Sequence, residues 1–548
     1  MYPSRFRRSA LATVAALSAL AMSAGATAAA TPARAVKAAS ASVLTWILPQ
    51  NPDHLIPEMG SLAADNNPDS LLWDGLVRMN LNGQWVPDLA TSWTHSKNGK
   101  VWTFFLRHGV KWSDGQPFTA ADVAYTYAFV SNPKINTTYV TGFNDIAKLA
   151  TPNQYEVVYT LKKPLAMFLA DVAGSSILPA HIYSKLTPTE INDGKYPSAE
   201  APIGTGPYTV QSWVQNSTLT MVANPNYWGP KPKIQKIVFE IVTNPNTAAV
   251  DLESGNVEID QDIPPQYVNA AKGWSGVRLY QSINATYDLI QLDEFHFLKD
   301  QNVRVALNLD TPKAQIVAKI MKGQAVVAYG DQVPGGIWYD PHLPHPGYDP
   351  SKALALLLKD GFKKVPTKGA PAGFWLSKDG QRLSVPLWTI AADQSEDDIA
   401  LVVSEAWEAI GVYAPVTTLS VSDLFGQNGP QFNGKDEALI FSWGQGVFPD
   451  DQIDFNWAEY PCTSATSNSE DCERYSNTEM DALTEEGAYT VNQAKAQQIY
   501  DKIQSLEIST VPIIFLFWYD GYAGVSSNVV GYKATVYGTT YPWTWSLK

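Results

Sequence analysis

The sequence predicts an α/β fold, and the clearest support for this class lies in the middle of the chain. Residues 236–242 are rich in β-branched and aromatic side chains and predict a strand. A predicted helix at 247–253 follows, ended by Gly255, and residues 256–260 predict another strand. A strand, a helix and a strand in succession are typical of parallel strands in a packed sheet.

The same order of elements recurs in the C-terminal half of the chain. A strand that begins near Leu383 precedes a predicted helix at 398–410 and a predicted strand at 412–417. The chain has 548 residues, which is more than one hydrophobic core normally organises. We therefore expect two or three domains.

Shorter patterns predict the other elements. A hairpin is expected at 204–223, and the turn after it leads to Tyr227 and Trp228, which we interpret as an aromatic plug. Thr119 is the expected N-cap of a helix that runs to Val130. The remaining predicted elements are a strand at 43–48, a helix at 66–78, strands at 102–106 and 155–161, and a helix at 165–172.

The first 35 residues have the pattern of an export signal. Three arginines stand among the first eight residues, an apolar run follows at 11–22, and two Ala-x-Ala sequences resemble cleavage sites. A membrane anchor is the alternative interpretation, but the run is short and rich in alanine. We expect residues 1–35 to be a cleaved signal peptide and the mature protein to be soluble in the periplasm or cell envelope, without the cysteine that a lipid anchor needs.

The chain has two cysteines, Cys462 and Cys472, which lie in a polar segment. In an oxidising compartment, a disulfide that closes this short loop is the expected arrangement. A metal site is the weaker alternative, because neither cysteine has a second cysteine or a histidine nearby.

Composition and motifs argue against several classes of function. The formal net charge of −14 is unsuited to non-specific nucleic-acid binding, which requires a basic surface. The sequence contains no G-x-S-x-G, H-E-x-x-H, P-loop or C-x-x-C motif. The Gly204-Thr205-Gly206 sequence begins like a phosphate loop but precedes a strand, so we interpret it as a tight turn. His342 and His345 stand among prolines that exclude a helix, which favours a solvated loop over a metal site.

Five short segments resemble one known family. They read PDLATSW at 87–93, LRHGVKWSDGQPFTAADV at 106–123, GTGPY at 204–208, NPNYWG at 224–229 and VRVAL at 303–307. In this order they are similar to the extracytoplasmic solute-binding proteins of family 5, and the similarity extends over most of the mature chain. Members of that family serve ABC transporters for oligopeptides, dipeptides, nickel and some oligosaccharides.

The resemblance implies a periplasmic-binding-protein-like fold, with two main lobes joined by a hinge and a small inserted domain. The implied first domain comprises residues 36–83, 203–298 and 513–548. The inserted second domain comprises residues 84–202, and the third domain residues 299–512. The solute is expected between the first and third domains, which close over it by hinge bending.

The implied function is that of the substrate-binding component of an ABC importer, which captures an oligopeptide or similar solute and delivers it to a membrane permease. An oligosaccharide-binding receptor of the same family is the alternative, and a secreted glycan hydrolase is a remote one. We expect a monomer that binds its solute without turnover. No cofactor, metal or nucleic acid is expected as a partner.

The best candidate for the solute site follows a predicted buried strand at 438–441. Ligands in open α/β sheets bind just beyond strand ends, and this strand is followed by glycines that break the pattern. The candidate ligand-binding residues there are Trp443, Gln445, Gly446, Phe448 and Asp450. Packing between domains is the alternative role for the two aromatic residues.

One departure from the resemblance concerns the solute. Peptide-binding members usually have W-x-x-D here, and the aspartate pairs with the amino terminus of the peptide. Counting from Trp443, Gly446 occupies that position. A buried ammonium group needs a paired carboxylate, so the departure weakens the prediction of a free-amine peptide. Asp450, Asp451 and Asp454 are candidates to replace the acid, or to cap the following helix.

Aromatic side chains near predicted strand ends complete the candidate site. Flat aromatic faces bind sugars or apolar peptides by stacking. The candidates are Trp388, Trp518, Tyr519 and Tyr287, and we add Asn66 at the start of the first predicted helix. Arg304, in the VRVAL segment, is expected to serve mainly as a structural ion-pair or hinge residue.

Overall fold

The structure, a computed structural model, describes residues 43–60, 62–137, 142–195, 199–391, 393–425, 429–430, 437–444, 449 and 475–548. Over these ranges helices and strands alternate, and the largest sheet has 11 strands. The predicted α/β class is therefore confirmed. Within the same ranges, we find no helix with the length and apolar character needed to cross a membrane.

The N-terminal part contains one strand of the large sheet and a smaller sheet of its own. Its elements are β1 (Val43–Leu48), α1 (Asn66–Leu72), β2 (Val77–Met79), β3 (Trp85–Pro87), β4 (Ala90–His95), β5 (Val101–Leu106), α2 (Ala120–Val130), β6 (Ile146–Asn153), β7 (Glu156–Leu161), α3 (Ala180–Tyr183) and α4 (Pro188–Asn192). Strands β4, β5, β7 and β6 form a separate antiparallel sheet in that order. This sheet lies in the segment that the sequence predicts as an insertion.

Two predicted helices in this part have different outcomes. The Thr119 cap is confirmed, because its side chain accepts the Ala121 N–H while Asp122 Oδ2 accepts the Thr119 N–H at 2.8 Å. The helix predicted at 66–78 is wrong beyond Leu72, where the chain becomes extended. Trp73 takes an extended backbone conformation, and its indole N–H donates to Leu55 O at 2.9 Å, which turns the chain away from the helix axis.

The middle of the chain builds one half of the large sheet. Its elements are β8 (Tyr208–Val214), β9 (Thr218–Ala223), β10 (Lys236–Ile241), α5 (Pro245–Ser254), β11 (Ile259–Asp260), α6 (Pro265–Ala271) and β12 (Val277–Leu292). The predicted hairpin is β8 and β9, which pair antiparallel. Strand β1 lies between β10 and β11 and runs parallel to both, which confirms the predicted parallel unit.

The following part of the chain builds the other half. Its elements are α7 (Gln301–Leu309), α8 (Lys313–Lys319), β13 (Ala325–Val327), α9 (Pro350–Lys359), β14 (Lys363–Pro366), β15 (Phe374–Lys378), β16 (Gln381–Arg382), β17 (Leu387–Ile390), α10 (Gln394–Ala409), β18 (Val416–Leu419), α11 (Val421–Leu424), β19 (Ala438–Gly444), α12 (Thr478–Tyr489) and α13 (Gln493–Thr510). Strands β17 and β18 are parallel neighbours, as predicted. Both begin later than predicted, although Val385 N already donates to Tyr413 O at 2.9 Å before the regular pairing starts.

Two long strands join the halves of the large sheet. The last elements are β20 (Ile513–Ser526), β21 (Val529–Val530), β22 (Ala534–Thr535), β23 (Gly538–Thr539) and β24 (Ser546–Leu547). The sheet order is β18-β17-β19-β12-β20-β11-β1-β10-β9-β8, and β13 also pairs with β20. Strands β12 and β20 are antiparallel, and their register shifts between Ile283 and Tyr287. Such a shift bends and twists a strand pair locally.

Both long strands contribute side chains to the two apolar cores that lie on either side of this shift. Ala523 and Val525 of β20 belong to the core that surrounds Trp46, whereas Ile514 and Leu516 belong to a second core with the α7 helix. The boundaries predicted at 298 and 512 therefore fall beside strands that serve both cores. We propose that the division between the main lobes lies within β12 and β20, at the register shift.

The glycine-rich turn before β8 is a packing feature. A Cβ on Gly204 would overlap the backbone oxygen of Leu72, and a Cβ on Gly206 would overlap that of Leu71. Next to it, the Trp228 indole donates to Asp74 Oδ2 at 2.9 Å, and the Arg107 guanidinium stands 4.4 Å from the Trp228 ring centroid. These contacts support the interpretations as a tight turn and an aromatic plug.

Candidate functional site

A cavity of about 860 Å³ opens beside α1 and is our candidate functional site. This volume is within the range of small-molecule sites in proteins. Its aromatic walls come from three parts of the chain, the end of α1, β3 and the C-terminal segment around β23. The aromatic lining residues are Trp73, Trp85, Tyr537, Tyr541 and Trp543.

One end of the cavity is formed by carboxylates. Asp65 and Asp69 line it, and Glu58 and Asp53 lie close enough to influence them; we call these four residues the acidic end. Asp65 accepts backbone N–H bonds from Asp53 and Leu62, both at 3.1 Å. Burial raises the pKa of Asp65 to about 7 and that of Glu58 to about 8.

Asp69 is the most isolated of these carboxylates. The residue is 8 % exposed, and its Oδ1 has no hydrogen-bond partner in the part of the chain that the structure describes. Burial raises its pKa well above the ordinary value, and the nearby charges of Asp65, Glu58 and Asp53 raise it further. No cation contributes to this shift, so Asp69 is a buried acid without a compensating charge among the described residues.

The other end of the cavity, which we call the arginine end, consists of Arg78, Asp74 and Asp88. Arg78 Nη1 lies 3.4 Å from Asp88 Oδ1. Its guanidinium also stands 4.5 Å from the ring centroid of Tyr541 and 5.5 Å from that of Trp543. The cavity lining therefore includes buried acids and an arginine that an aspartate and two aromatic rings hold in place.

The residues predicted for the site are distributed over two regions. Asn66 is exposed and lines the cavity. Trp388, Trp443 and Tyr519 are half-buried on β17, β19 and β20. The Tyr519 hydroxyl donates to Asp288 Oδ2 at 3.1 Å and lies 2.9 Å from Ser442 Oγ. Burial raises the pKa of Asp288 well above its ordinary value, which favours the protonated form of this carboxyl.

Tyr287 and Trp518 lie in an apolar core instead of on an open surface. They are 0 % and 1 % exposed, and their ring centroids are 4.9 Å apart in an edge-to-face arrangement. Phe515 packs on Tyr287 at 5.4 Å. Both lie within long strands, Tyr287 in β12 and Trp518 in β20, and not at strand ends as expected, so we leave both residues out of the site that we propose below.

The remaining predicted positions lie outside the described residues. They are Gln445, Gly446, Phe448 and Asp450 of the candidate solute loop, and the cysteines Cys462 and Cys472.

Sequence reasoning missed the acidic end, although one signal for it was present. Asp65 and Asp69 are four residues apart, the spacing that places two side chains on one face of a helix. The cavity itself depends on long-range packing of the C-terminal segment against α1, which spacing along the chain does not report. In the described ranges, no group of three or more His, Cys, Asp or Glu side chains is arranged to hold a metal ion.

The acidic end predicts an unusual pH dependence of stability. Because the pKa of Glu58 is raised to about 8 in the folded protein, folding binds a proton between its ordinary pKa of 4.5 and pH 8, and stability falls as the pH rises through that range. We expect Glu58→Gln to reduce this fall by a few kcal/mol, since a tenfold change in an equilibrium constant corresponds to ~1.4 kcal/mol.

Guanidinium unfolding of both proteins between pH 5 and pH 8 measures the difference. Glu405→Gln, at an exposed position on α10, is the control and should leave the pH dependence unchanged. Parallel pH profiles for the unaltered protein and Glu58→Gln would contradict the assignment.

Comparisons with known proteins agree on one family. The family model for bacterial extracellular solute-binding proteins, family 5 Middle, matches residues 84–464. The nickel-binding periplasmic protein of Escherichia coli is 30 % identical over 386 residues, which are 69 % of this chain and 71 % of that protein. The oligopeptide-binding protein AppA of Bacillus subtilis is 25 % identical over 449 residues, 81 % of this chain and 80 % of that protein.

A solved structure agrees with these relatives. NikZ from Campylobacter jejuni, in complex with Ni(L-His), has a TM-score of 0.71 and 25 % identity to this chain. The similarity covers 92 % of this chain and 99 % of NikZ. The fold predicted from the resemblance is thereby confirmed over nearly the whole of the chain.

Proposed function

The chain belongs to the bacterial extracellular solute-binding proteins of family 5, and on that premise we propose that it captures a peptide or a similar solute for an ABC importer. In this proposal the solute binds reversibly outside the cytoplasm, the lobes close over it, and a membrane permease receives it. The protein acts as a monomer and performs no chemical reaction on the solute.

The chemistry of the cavity is the observation that carries the choice of solute. Its lining contains carboxyl groups, the Arg78 guanidinium and aromatic rings, so it can meet a molecule that carries an amine, a carboxylate and apolar groups. A peptide has this distribution of charge, with an amino terminus, a carboxylate and side chains that pack on rings. Asn66 adds a polar side chain to the same lining.

An oligosaccharide is the second candidate, and the half-buried tryptophans favour it. Trp388 and Trp443 lie at neighbouring strands of the large sheet, β17 and β19, where flat rings stack on sugars. Neither ring requires a charged ligand, so this candidate depends on a different surface from the cavity.

The site of action that we propose is the periplasm or the cell envelope. The signal-like N-terminus supports export, and the relatives named above include periplasmic proteins. In such an oxidising compartment, we propose a disulfide between Cys462 and Cys472.

Native mass spectrometry of the purified protein tests this function. We expect a retained solute of peptide mass, released on denaturation and identifiable by fragmentation. Calorimetric titration with peptides, oligosaccharides and a nickel–histidine complex then ranks the classes. Formation of a cleaved product from any of these compounds would contradict a receptor function.

For the oligosaccharide candidate, replacing Trp443 by alanine should weaken binding about tenfold, corresponding to ~1.4 kcal/mol. Trp443 is half-buried on β19 opposite Tyr287, so its ring is partly open to a ligand while its backbone is held in the sheet. Calorimetry with an oligosaccharide measures the change. Trp375→Ala, a half-buried tryptophan on β15, is the control. Equal affinity of Trp443→Ala and the unaltered protein would remove Trp443 from the site.

A further inference from the structure

We propose that Asp69, with Asp65 beside it, binds a primary ammonium group of the solute in the cavity next to α1. This inference rests on the proposed function and deepens it, because it selects solutes with a free amine over blocked peptides and neutral sugars.

The geometry of Asp69 is the first observation in support. More than nine-tenths of the residue is buried, it lines the cavity, and its Oδ1 accepts no hydrogen bond from any described residue. A buried carboxylate oxygen is normally hydrogen-bonded. An ammonium group in the cavity would supply both the missing donor and the missing positive charge.

The surroundings of Asp69 are the second observation. Asp65, Glu58 and Asp53 all act on Asp69 as like charges, and no lysine or arginine is among the groups that influence it. The nearest cation of the lining, Arg78, is held by Asp88 and by the Tyr541 ring at the arginine end. A cationic ligand would therefore meet buried carboxyl groups for which the described part of the protein supplies no compensating cation.

The oxygen atoms that are available in the site determine which kind of cation it fits. Asp65 already accepts two backbone N–H bonds, so few carboxylate oxygens are free to surround a metal ion. An ammonium group has three N–H donors, which Asp69 Oδ1, the remaining lone pairs of Asp65 and the face of an aromatic neighbour such as Trp73 can meet. The site thus fits an organic amine better than a metal ion.

Asp69 lies in a different part of the chain from the acid expected in peptide-binding members of the family. Sequence comparison with peptide-binding proteins of the family places Gly446 where an acid is expected. The acidic end would supply that charge from the N-terminal segment instead. Asp69 and Gly446 are 377 residues apart along the chain.

The test uses synthetic tripeptides to hexapeptides, each prepared with a free and with an acetylated amino terminus, and titrated into the full chain by calorimetry. We expect the free-amine form to bind at least about 30-fold more tightly than its acetylated partner, as for loss of a buried charge partner, ~2 kcal/mol. In Asp69→Asn, which preserves the size of the side chain, this preference should disappear.

Asp310→Asn is the matched control. Asp310 is also buried, and both of its carboxylate oxygens lack hydrogen-bond partners among the described residues, but it does not line the cavity. This variant should retain the full preference for free amines. Circular dichroism and thermal melts verify that both variants fold.

The outcomes separate this inference from the proposed function. Equal binding of free and acetylated peptides by the unaltered protein would overturn the ammonium site and leave the peptide receptor intact, and this comparison requires no variant. A preference that persists in Asp69→Asn would overturn the assignment to Asp69. Failure of both peptide forms to bind would overturn the peptide solute and the ammonium site together.

Discussion

Replacing Arg304 by methionine is expected to destabilise the protein by ~3–5 kcal/mol, the cost of breaking a buried ion pair from one side. Arg304 is 4 % exposed, and its Nη1 lies 3.0 Å from Glu294 Oε2. Its guanidinium also donates to the backbone oxygens of Leu298, Thr510 and Val511 at 2.7–3.2 Å. Methionine fills a similar volume but leaves a carboxylate and three carbonyls without this donor.

The contacts of Arg304 explain why the effect should be large. They join α7 to the last residue of α13 and to Val511, just before β20. One side chain therefore links three neighbouring segments of the second core. Guanidinium unfolding measures the loss. Arg382→Met, at an exposed residue whose guanidinium stacks 3.8 Å from the Tyr413 ring centroid, should cost less than ~1 kcal/mol. Equal midpoints for Arg304→Met and the unaltered protein would show that the arginine is dispensable.

Replacing Gly204 by alanine is expected to destabilise the protein by about 3 kcal/mol or more. The added Cβ would overlap the backbone oxygen of Leu72, and backbone cannot move aside as a flexible side chain can. The end of α1 would have to shift, and with it the lining of the cavity near Asp69. We therefore expect a lower melting temperature together with weaker solute binding.

Gly347→Ala is the control for this substitution. A Cβ at Gly347 meets no atom within 4 Å, and its backbone is not in the left-handed region. This change should be nearly neutral by thermal melting. Equal melting temperatures for Gly204→Ala and Gly347→Ala would contradict the close packing of the turn against α1.

The sequence predicted those parts of the fold that depend on residues close together in the chain. The cap at Thr119 and the parallel units around α5 and α10 depend on residues close together in sequence. The prediction for 66–78 failed where a distant contact intervened, since the Trp73 indole bonds to Leu55 O across a turn. A helical apolar pattern carries no information about such a partner.

The candidate site was harder to predict for the same reason. Asn66 was identified and lines the cavity, but its neighbour Asp69 was not, because its significance lies in what surrounds it. Tyr287 and Trp518 were expected near strand ends, but they lie within the long strands β12 and β20 and face each other in a core. The length of these strands depends on pairing between distant parts of the chain, which local sequence patterns do not report.

The two long strands have a consequence for protein engineering. Because β12 and β20 each contribute side chains to both cores, neither lobe is a severable module. A fragment cut at 299 and 512 would lack Ile290, Ile514 and Leu516 from the centre of its own core. Hybrid receptors built from this chain must therefore exchange surface segments on an intact pair of strands, and altered solute preference has to be engineered residue by residue within one indivisible scaffold.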